Sequence, residues 1–284
     1  MKIVGVRIDG TDEVWAAAVD SADSPTAGVL TLVSPVRAFW SDPQGALADP
    51  EARKVDSTDP AVRVVPPVLP EARVLCIGLN YDEHIREGSF KDKERLPSPT
   101  IFGRWTRSLT VGGVHVPVPS DEQGLDWEGE VAAWVGSDLR YVDAEQAWEA
   151  VVGYSTFNDL SARNAQKATS QFTLGKNTDH SGPIGPMVTT DECGDPRSGW
   201  QLQTLVNGEV VQSATTDMQI HQVGETLAHI SRSLTIKAGD ILCTGTPGGV
   251  GYAREPAWFL NDGDVVEVEV EGLGRLTSPI GNPR

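Results

Sequence analysis

The sequence predicts an α+β chain rich in β-structure, and three observations carry that reading. Its apolar residues fall mainly in short β-branched runs bounded by glycine, proline or asparagine, among them KIVGVRI, RVLCIGLN, VVGYSTFN and DILCTGT. Such runs are the mark of buried or half-buried strands. Asn207-Gly208 stands between LQTLV and EVVQS, a strong signal for a type I′ hairpin. Helical periodicity is confined to a few segments, the clearest being HQVGETLAHISRSL, where Val223, Leu227, Ile230 and Leu234 share an apolar side.

Taken in order, KIVGVRI and VWAAAV are strands flanking the turn Asp9-Gly10-Thr11-Asp12, and GVLTLV is a third. PQGALADPEAR is a weak helix interrupted by Pro50. The stretch from Pro60 to Pro70 reads as an extended connector, because proline fixes φ and removes a donor. It divides a small N-terminal α+β domain, residues 1–70, from a larger domain, residues 71–284, in a chain long enough to bury a sizeable core. Beyond it, RVLCIGLN ends at Asn80 and leads into a turn or two of helix closed by Gly88. PTIFGR is a strand, and VHVPVP, residues 114–119, alternates like an edge strand held by its prolines. Asp126 to Gly136 reads as one strand, Asp143 to Val151 as a helix, and VVGYSTFN as a strand followed by a helix starting at Asp159. Leu174 to Pro186 is a loop dense in glycine and proline. DILCTGT is a strand opening into a glycine-rich turn, which lacks GxxxxGK[ST] and so is no phosphate loop. DGDVVEVEVEGLG supplies a turn and an alternating strand.

The formal net charge of −17 argues against nucleic acid or an anionic membrane as partner, since either would be repelled. An anionic substrate would need a local positive site to overcome that field. Cys76, Cys193 and Cys243 form no CxxC pair, and Cys76 and Cys243 sit in apolar strand-like runs as core thiols. MKIVGVRIDG has no signal-peptide apolar region and no run is long enough to span a bilayer. A reduced, cytoplasmic location is therefore expected.

Candidate chemistry begins with Glu128 and Glu130. Side chains two apart on a strand point to one face, so these carboxylates would repel unless one is protonated or a cation lies between them. A hard divalent ion bound by oxygens, Mg²⁺, Mn²⁺ or Ca²⁺, resolves the conflict; a solvated strand face is the alternative. Asp159, at a strand end, either reaches a site outside the sheet or caps the next helix. Arg163 and Gln166 share a face of that helix. His84 and Glu87 are three apart on a helix, which suits an oriented general base or a simple surface pair. Lys176 is an electrostatic stabiliser or a solvated lysine, and His221 and His229 read as structural.

Four blocks, GLNYDEHIREG, GLDWEGEVAAWVG, FNDLSARNAQ with GKNTDHSGPIGP, and VNGEVVQSATTDM leading to GDILCTGTPGGVG, together resemble the fumarylacetoacetate hydrolase family over roughly residues 71 to 270. The resemblance implies a mixed β-roll catalytic domain behind a small N-terminal domain, assembled as a homodimer. It implies Mg²⁺ or Mn²⁺ on Glu128, Glu130 and Asp159. It implies that His84 and Glu87 activate water on a segment that orders over the site. Arg163, Gln166, Lys176 and Thr246 match positions lining the family's substrate pocket. This chain departs from the family pattern at Arg104, where lysine is frequent, at His180, and in the final RLTSPIGNPR, which lacks the usual asparagine. The expected activity is metal-dependent hydrolysis of a carbon–carbon bond in a small anionic β-diketo or acylpyruvate-like acid. His84, Glu87 and Lys176 would be catalytic, and the polar run Ser89 to Arg95 would form a mobile lid. The rivals are an oxaloacetate-type decarboxylase, an isomerase of unsaturated keto acids, and a catalytically idle binding protein.

Overall fold

The computed structural model describes residues 1–23, 28–87, 97–122 and 124–281. Most of the apolar runs join one mixed sheet of 13 strands. Its main path runs Lys54–Asp56, Val29–Pro35, Val14–Val19, Lys2–Ile8, Met187–Thr189, Val151–Asn158, Gly129–Val135, Ile241–Cys243, Val74–Gly78, Thr100–Arg104. Neighbours along it are antiparallel except Ile241–Cys243 beside Val74–Gly78, where Cys243 faces Cys76 in parallel register. Lys2 pairs with Val188, so strands from before and after the proline-rich stretch share this sheet. A separate antiparallel sheet holds Glu209–Thr215, Gln201–Val206, Val265–Val270 and Gly274–Pro279. Asn207 (φ 51°) and Gly208 (φ 83°) make its first hairpin turn, the left-handed pair that a type I′ turn requires.

The strand Gly129–Val135 is buried along its whole length, and its two faces enter different cores. Val131, Ala133 and Val135 pack with Val223, Leu227 and Ile230 of the helix Val223–Ser231 and with Leu202 and Val268 of the second sheet. Ala132 and Trp134 face Cys76, Cys243, Phe157 and Trp40, and the Trp40 and Trp134 rings stack 5.6 Å apart. A strand covered on both faces reads as a continuous apolar run, which is why its sequence shows no alternation. The helix Ala144–Glu149 begins with Asp143 and Gln146 in a reciprocal capping box.

Several local expectations are corrected. Asp126 to Gly136 is not one strand: Leu125–Asp126 pairs with Ser161–Ala162, and Trp127 and Glu128 separate it from Gly129–Val135. At this break the Asn158 and Gln212 side chains accept from the backbone N–H groups of Glu128 and Gly129, replacing the ladder there. VHVPVP forms no strand and keeps only a bridge from Val116 to Ile280, since Pro117 and Pro119 have no donor to give. Asp159 neither starts nor caps a helix; Ser161–Ala162 comes first and Arg163–Lys167 follows, with Ala162 at its N-cap. Lys176 ends a short helix, Thr173–Lys176, and Gly182–Ile184 is a strand, so the segment from 174 is not all loop. Val36–Ser41 is an additional helix, and Val62–Val65 inside the proline-rich stretch pairs with Lys2–Ile8. The Ser89 to Arg95 run lies outside the described residues. No helix among the described residues is long and apolar enough to cross a membrane.

Candidate metal centre and active site

Antiparallel pairing assembles the acidic cluster. Gly129 stands opposite Asn158, and the Asp159 N–H donates to the Glu128 carbonyl at 2.8 Å. The end of one strand therefore meets the start of its neighbour, carrying Glu128 and Glu130 against Asp159. One carboxylate oxygen from each lies within 4.8 Å of the others, and all three residues are buried. Three fully desolvated carboxylates cannot all be ionised at that separation without cations.

Three basic side chains supply part of the compensation. Lys176 Nζ donates to Glu128 Oε2 at 2.6 Å and to Asp159 Oδ2 at 2.5 Å. Arg104 Nε donates to Asp159 Oδ1 at 2.5 Å. Its Nη1 reaches the Ser108 and Ser181 hydroxyls, and its Nη2 the Leu160 carbonyl. Arg163 joins Glu128 Oε1 through Nη1 at 2.7 Å and Asp126 Oδ2 through Nε at 2.9 Å. Burial alone would raise the Glu128 pKa, but Lys176, then Arg163 and His84, hold it down at about 2. Burial lowers the affinity of Lys176 for its proton, yet Asp159 and Glu128 outweigh it and the ammonium titrates above its ordinary value.

Glu130 is different. It is 1% exposed, and its Oε2 accepts the Gly245 N–H at 2.9 Å. No ion pair reaches it among the described residues. Burial, reinforced by Asp159, Cys76 and Glu128, pushes its pKa well up. A buried carboxyl lacking a cation, completing a cluster of hard oxygen donors, is the environment that a divalent ion satisfies. The triad therefore fits a divalent metal.

Next to the triad, the helix Asp82–Glu87 presents His84, whose Nδ1 lies 2.8 Å from Glu87 Oε1. Glu87 Oε2 accepts from the Gly249 N–H at 2.7 Å, which fixes the carboxylate that orients the imidazole. His84 is 7% exposed, so the pair is no surface ion pair. His84 opens on a cavity of about 680 Å³ that is also lined by Glu128, Arg163, Gln166, Lys176 and Thr246. Much of the remaining wall is apolar: Ile77, Leu79, Ile85, Phe102, Phe172 and Ile220. Thr246 Oγ1 donates to the Gly129 carbonyl and accepts from Gln212 Nε2. Gln166 Oε1 accepts from Arg163 Nη1 at 2.9 Å, as their shared helical face allows.

Other residues of the centre carry no assigned part in the sequence reading. Asp126 takes N–H groups from Trp127, Gly251 and Tyr252 besides pairing with Arg163; its place at the head of the DWEGE block was the available signal. Arg104, noted only as a departure from the family pattern, is one of the two cations that grip Asp159. His221 lines the cavity, whereas His180 and His229 are exposed and away from it.

A family model described as fumarylacetoacetate (FAA) hydrolase C-terminal matches residues 73–281. The chain is 36% identical over 218 residues to the oxaloacetate tautomerase YisK of Bacillus subtilis, an alignment covering 75% of this chain and 70% of the relative. A solved 5-carboxymethyl-2-hydroxymuconate delta-isomerase from Mycobacterium smegmatis superposes with a TM-score of 0.77 at 28% identity, covering all of both chains. A fumarylpyruvate hydrolase from Pseudomonas aeruginosa, solved with Mn²⁺ and pyruvate, superposes with a TM-score of 0.67 at 30% identity, over 78% of this chain and 92% of that one. Matched across most of its length and carrying a buried carboxylate triad beside an oriented histidine, the chain belongs to the fumarylacetoacetate hydrolase family.

Proposed function

We propose that this protein is a divalent-metal-dependent hydrolase that cleaves a carbon–carbon bond in a small anionic β-diketo acid of acylpyruvate type. The observation that carries the reading is His84, buried, held by Glu87 and opening on the same cavity as Glu128 and Lys176. Mg²⁺ or Mn²⁺ held by Glu128, Glu130 and Asp159 would supply Lewis-acid polarisation of the substrate's keto oxygens; Ca²⁺ suits the same donors less well as a catalyst.

His84 takes a proton from water, with Glu87 holding Nδ1–H and stabilising the imidazolium that forms. The hydroxide adds to the acyl carbonyl. As the carbon–carbon bond breaks, its electron pair passes to the pyruvate portion and His84 returns the proton to that carbon. Lys176 stabilises the negative charge that develops, a contribution of a few kcal/mol per donor in comparable sites. Arg163, whose Nη2 is buried without a hydrogen-bond partner among the described residues, and the side chains of Gln166 and Thr246 hold the anionic end. The apolar wall accommodates the acyl group. A homodimer belongs to the same proposal, and light scattering on the purified protein tests it.

A second reading, an oxaloacetate tautomerase, is favoured by the likeness to YisK. The same histidine would then shuttle a proton between carbon and oxygen without consuming water. Turnover of acetylpyruvate with Mg²⁺ or Mn²⁺ in ¹⁸O-water separates the two. Hydrolysis places solvent oxygen in the acetate product. Rapid equilibration of enol and keto oxaloacetate with no cleavage of acetylpyruvate would establish the tautomerase instead.

A further inference from the structure

Where the cavity meets solvent, Lys167, Thr169 and Ser170 are exposed, and all three line it. Lys167 ends the helix Arg163–Lys167, one turn after Arg163, so both basic side chains rise from the same side. They meet on a single aromatic ring. Lys167 Nζ lies 3.7 Å from the centroid of Tyr252, and the Arg163 guanidinium carbon lies 4.5 Å from it. Tyr252 lines the cavity as well, and its backbone N–H is fixed by Asp126.

The two cations are compensated very differently. Arg163 is matched by Asp126 and Glu128. Among the described residues no carboxylate makes an ion pair with Lys167, and in a chain of net charge −17 an unmatched lysine beside an arginine is out of keeping with its surroundings. Burial and then the Arg163 charge lower its pKa, with Asp126 offering only a weaker opposing effect. Arg163 is 3% exposed, and its Nη2 has no hydrogen-bond partner among the described residues. A buried guanidinium N–H left unpaired costs free energy unless a ligand fills the gap. The unmatched ammonium and the shared ring thus meet where the cavity opens to solvent, with the buried Arg163 guanidinium on the same ring.

We infer that Lys167, seated on Tyr252 beside Arg163, is a specificity-determining residue that receives a second carboxylate at the far end of the substrate, so that the site prefers dicarboxylic keto acids to their monocarboxylic counterparts. This deepens the keto-acid reading of the cavity and rests on it, and the test is chosen to need no turnover. 2-Oxoglutarate and 2-oxopentanoate are 2-oxo acids of the same chain length that differ in the terminal carboxylate, and neither is a β-diketone that the proposed hydrolysis could cleave. Titration calorimetry with saturating Mg²⁺ should show 2-oxoglutarate binding the full-length protein about 10-fold more tightly, the scale of a charge-assisted contact. Lys167→Met should shrink that gap to about 2-fold while leaving 2-oxopentanoate binding unchanged, and Lys167→Arg should restore most of it. A gap that Lys167→Met leaves intact overturns the inference, as does equal binding, or no binding, of both acids by the unaltered protein. If the gap follows Lys167 but acetylpyruvate is not cleaved, the hydrolase reading fails and this subsite stands.

Discussion

Glu130→Gln separates a metal site from a network of ion pairs. In the metal-free protein Glu130 is a buried carboxyl with one hydrogen bond and no ion pair among the described residues, while Asp159 is gripped by Arg104 and Lys176. Replacing Glu130 by its neutral isostere removes a costly group and should leave the melting temperature in EDTA unchanged or higher. Asp159→Asn instead leaves two buried cations short of their anion. Breaking such pairs costs about 3–5 kcal/mol, which at about 2–4 °C per kcal/mol for a large domain is a drop of roughly 10 °C. The order reverses when metal is added. An ion at a hundred times its Kd stabilises the native state by about 2.7 kcal/mol, raising the melting temperature of the unaltered protein by about 5–10 °C. Glu130→Gln should lose most of that rise. The pH dependence follows from the same residue. Because its folded pKa lies above the unfolded value of about 4.3, the metal-free native state holds the extra proton, and stability falls as pH climbs from there through the folded pKa. The unaltered protein in EDTA should therefore lose ground to Glu130→Gln as pH rises above about 4.3. Differential scanning calorimetry with EDTA and with Mg²⁺ or Mn²⁺ reads all of this. A Glu130→Gln variant that melts as low as Asp159→Asn in EDTA, or that keeps the full metal-induced rise, refutes the argument.

His84→Ala should keep the metal-induced rise in melting temperature while turnover falls about 10²-fold or more, the scale of a lost general base; full activity would make the pair structural. Arg104→Met should lower the urea midpoint through a loss of about 3–5 kcal/mol, since it takes a buried cation from Asp159, leaving it Lys176 alone, and removes the donors to Ser181 and the Leu160 carbonyl. Arg104→Lys should recover only part of this, because an ammonium cannot reproduce the guanidinium fork. Glu128 has the opposite sign to Glu130: held down at about 2, its stabilisation is present above the unfolded pKa of about 4.3 and is lost as pH falls toward 2. Glu128→Gln should flatten that limb of an acid-unfolding curve, and an unchanged limb would count against the pairing with Lys176 and Arg163.

The fold was legible where one physical rule governs a segment by itself. Asn207-Gly208 specifies its turn through the left-handed conformations that those two residues tolerate, and Val223, Leu227 and Ile230 specify their helix by period. Segments whose backbone partners are distant were harder to read. VHVPVP alternates like a strand, but alternation supplies no partner, and its prolines withdraw the donors with which one could be made. Asp159 shows the converse error. Its sequence position suits an N-cap, yet its oxygens go to Arg104 and Lys176, from 55 and 17 residues away, and no local rule contains those partners.

The same distinction explains the candidate site. Glu128 and Glu130 announce themselves because two acids in an apolar run conflict with the burial that the run demands, and the conflict is visible without coordinates. The compensating charges are not visible in that way. A lysine in a glycine-rich segment has the same sequence signature whether its ammonium is solvated or, like that of Lys176, 2% exposed between two carboxylates. Lys167 is harder still: the ring it sits on, Tyr252, comes from 85 positions later in the chain. Burial tells an acid in an apolar strand that something must neutralise it, but which cation answers is settled by chain crossings. An acidic protein that binds an anion must therefore concentrate its few basic side chains where strands from remote parts of the sequence meet, and those residues are the ones that sequence alone reveals last.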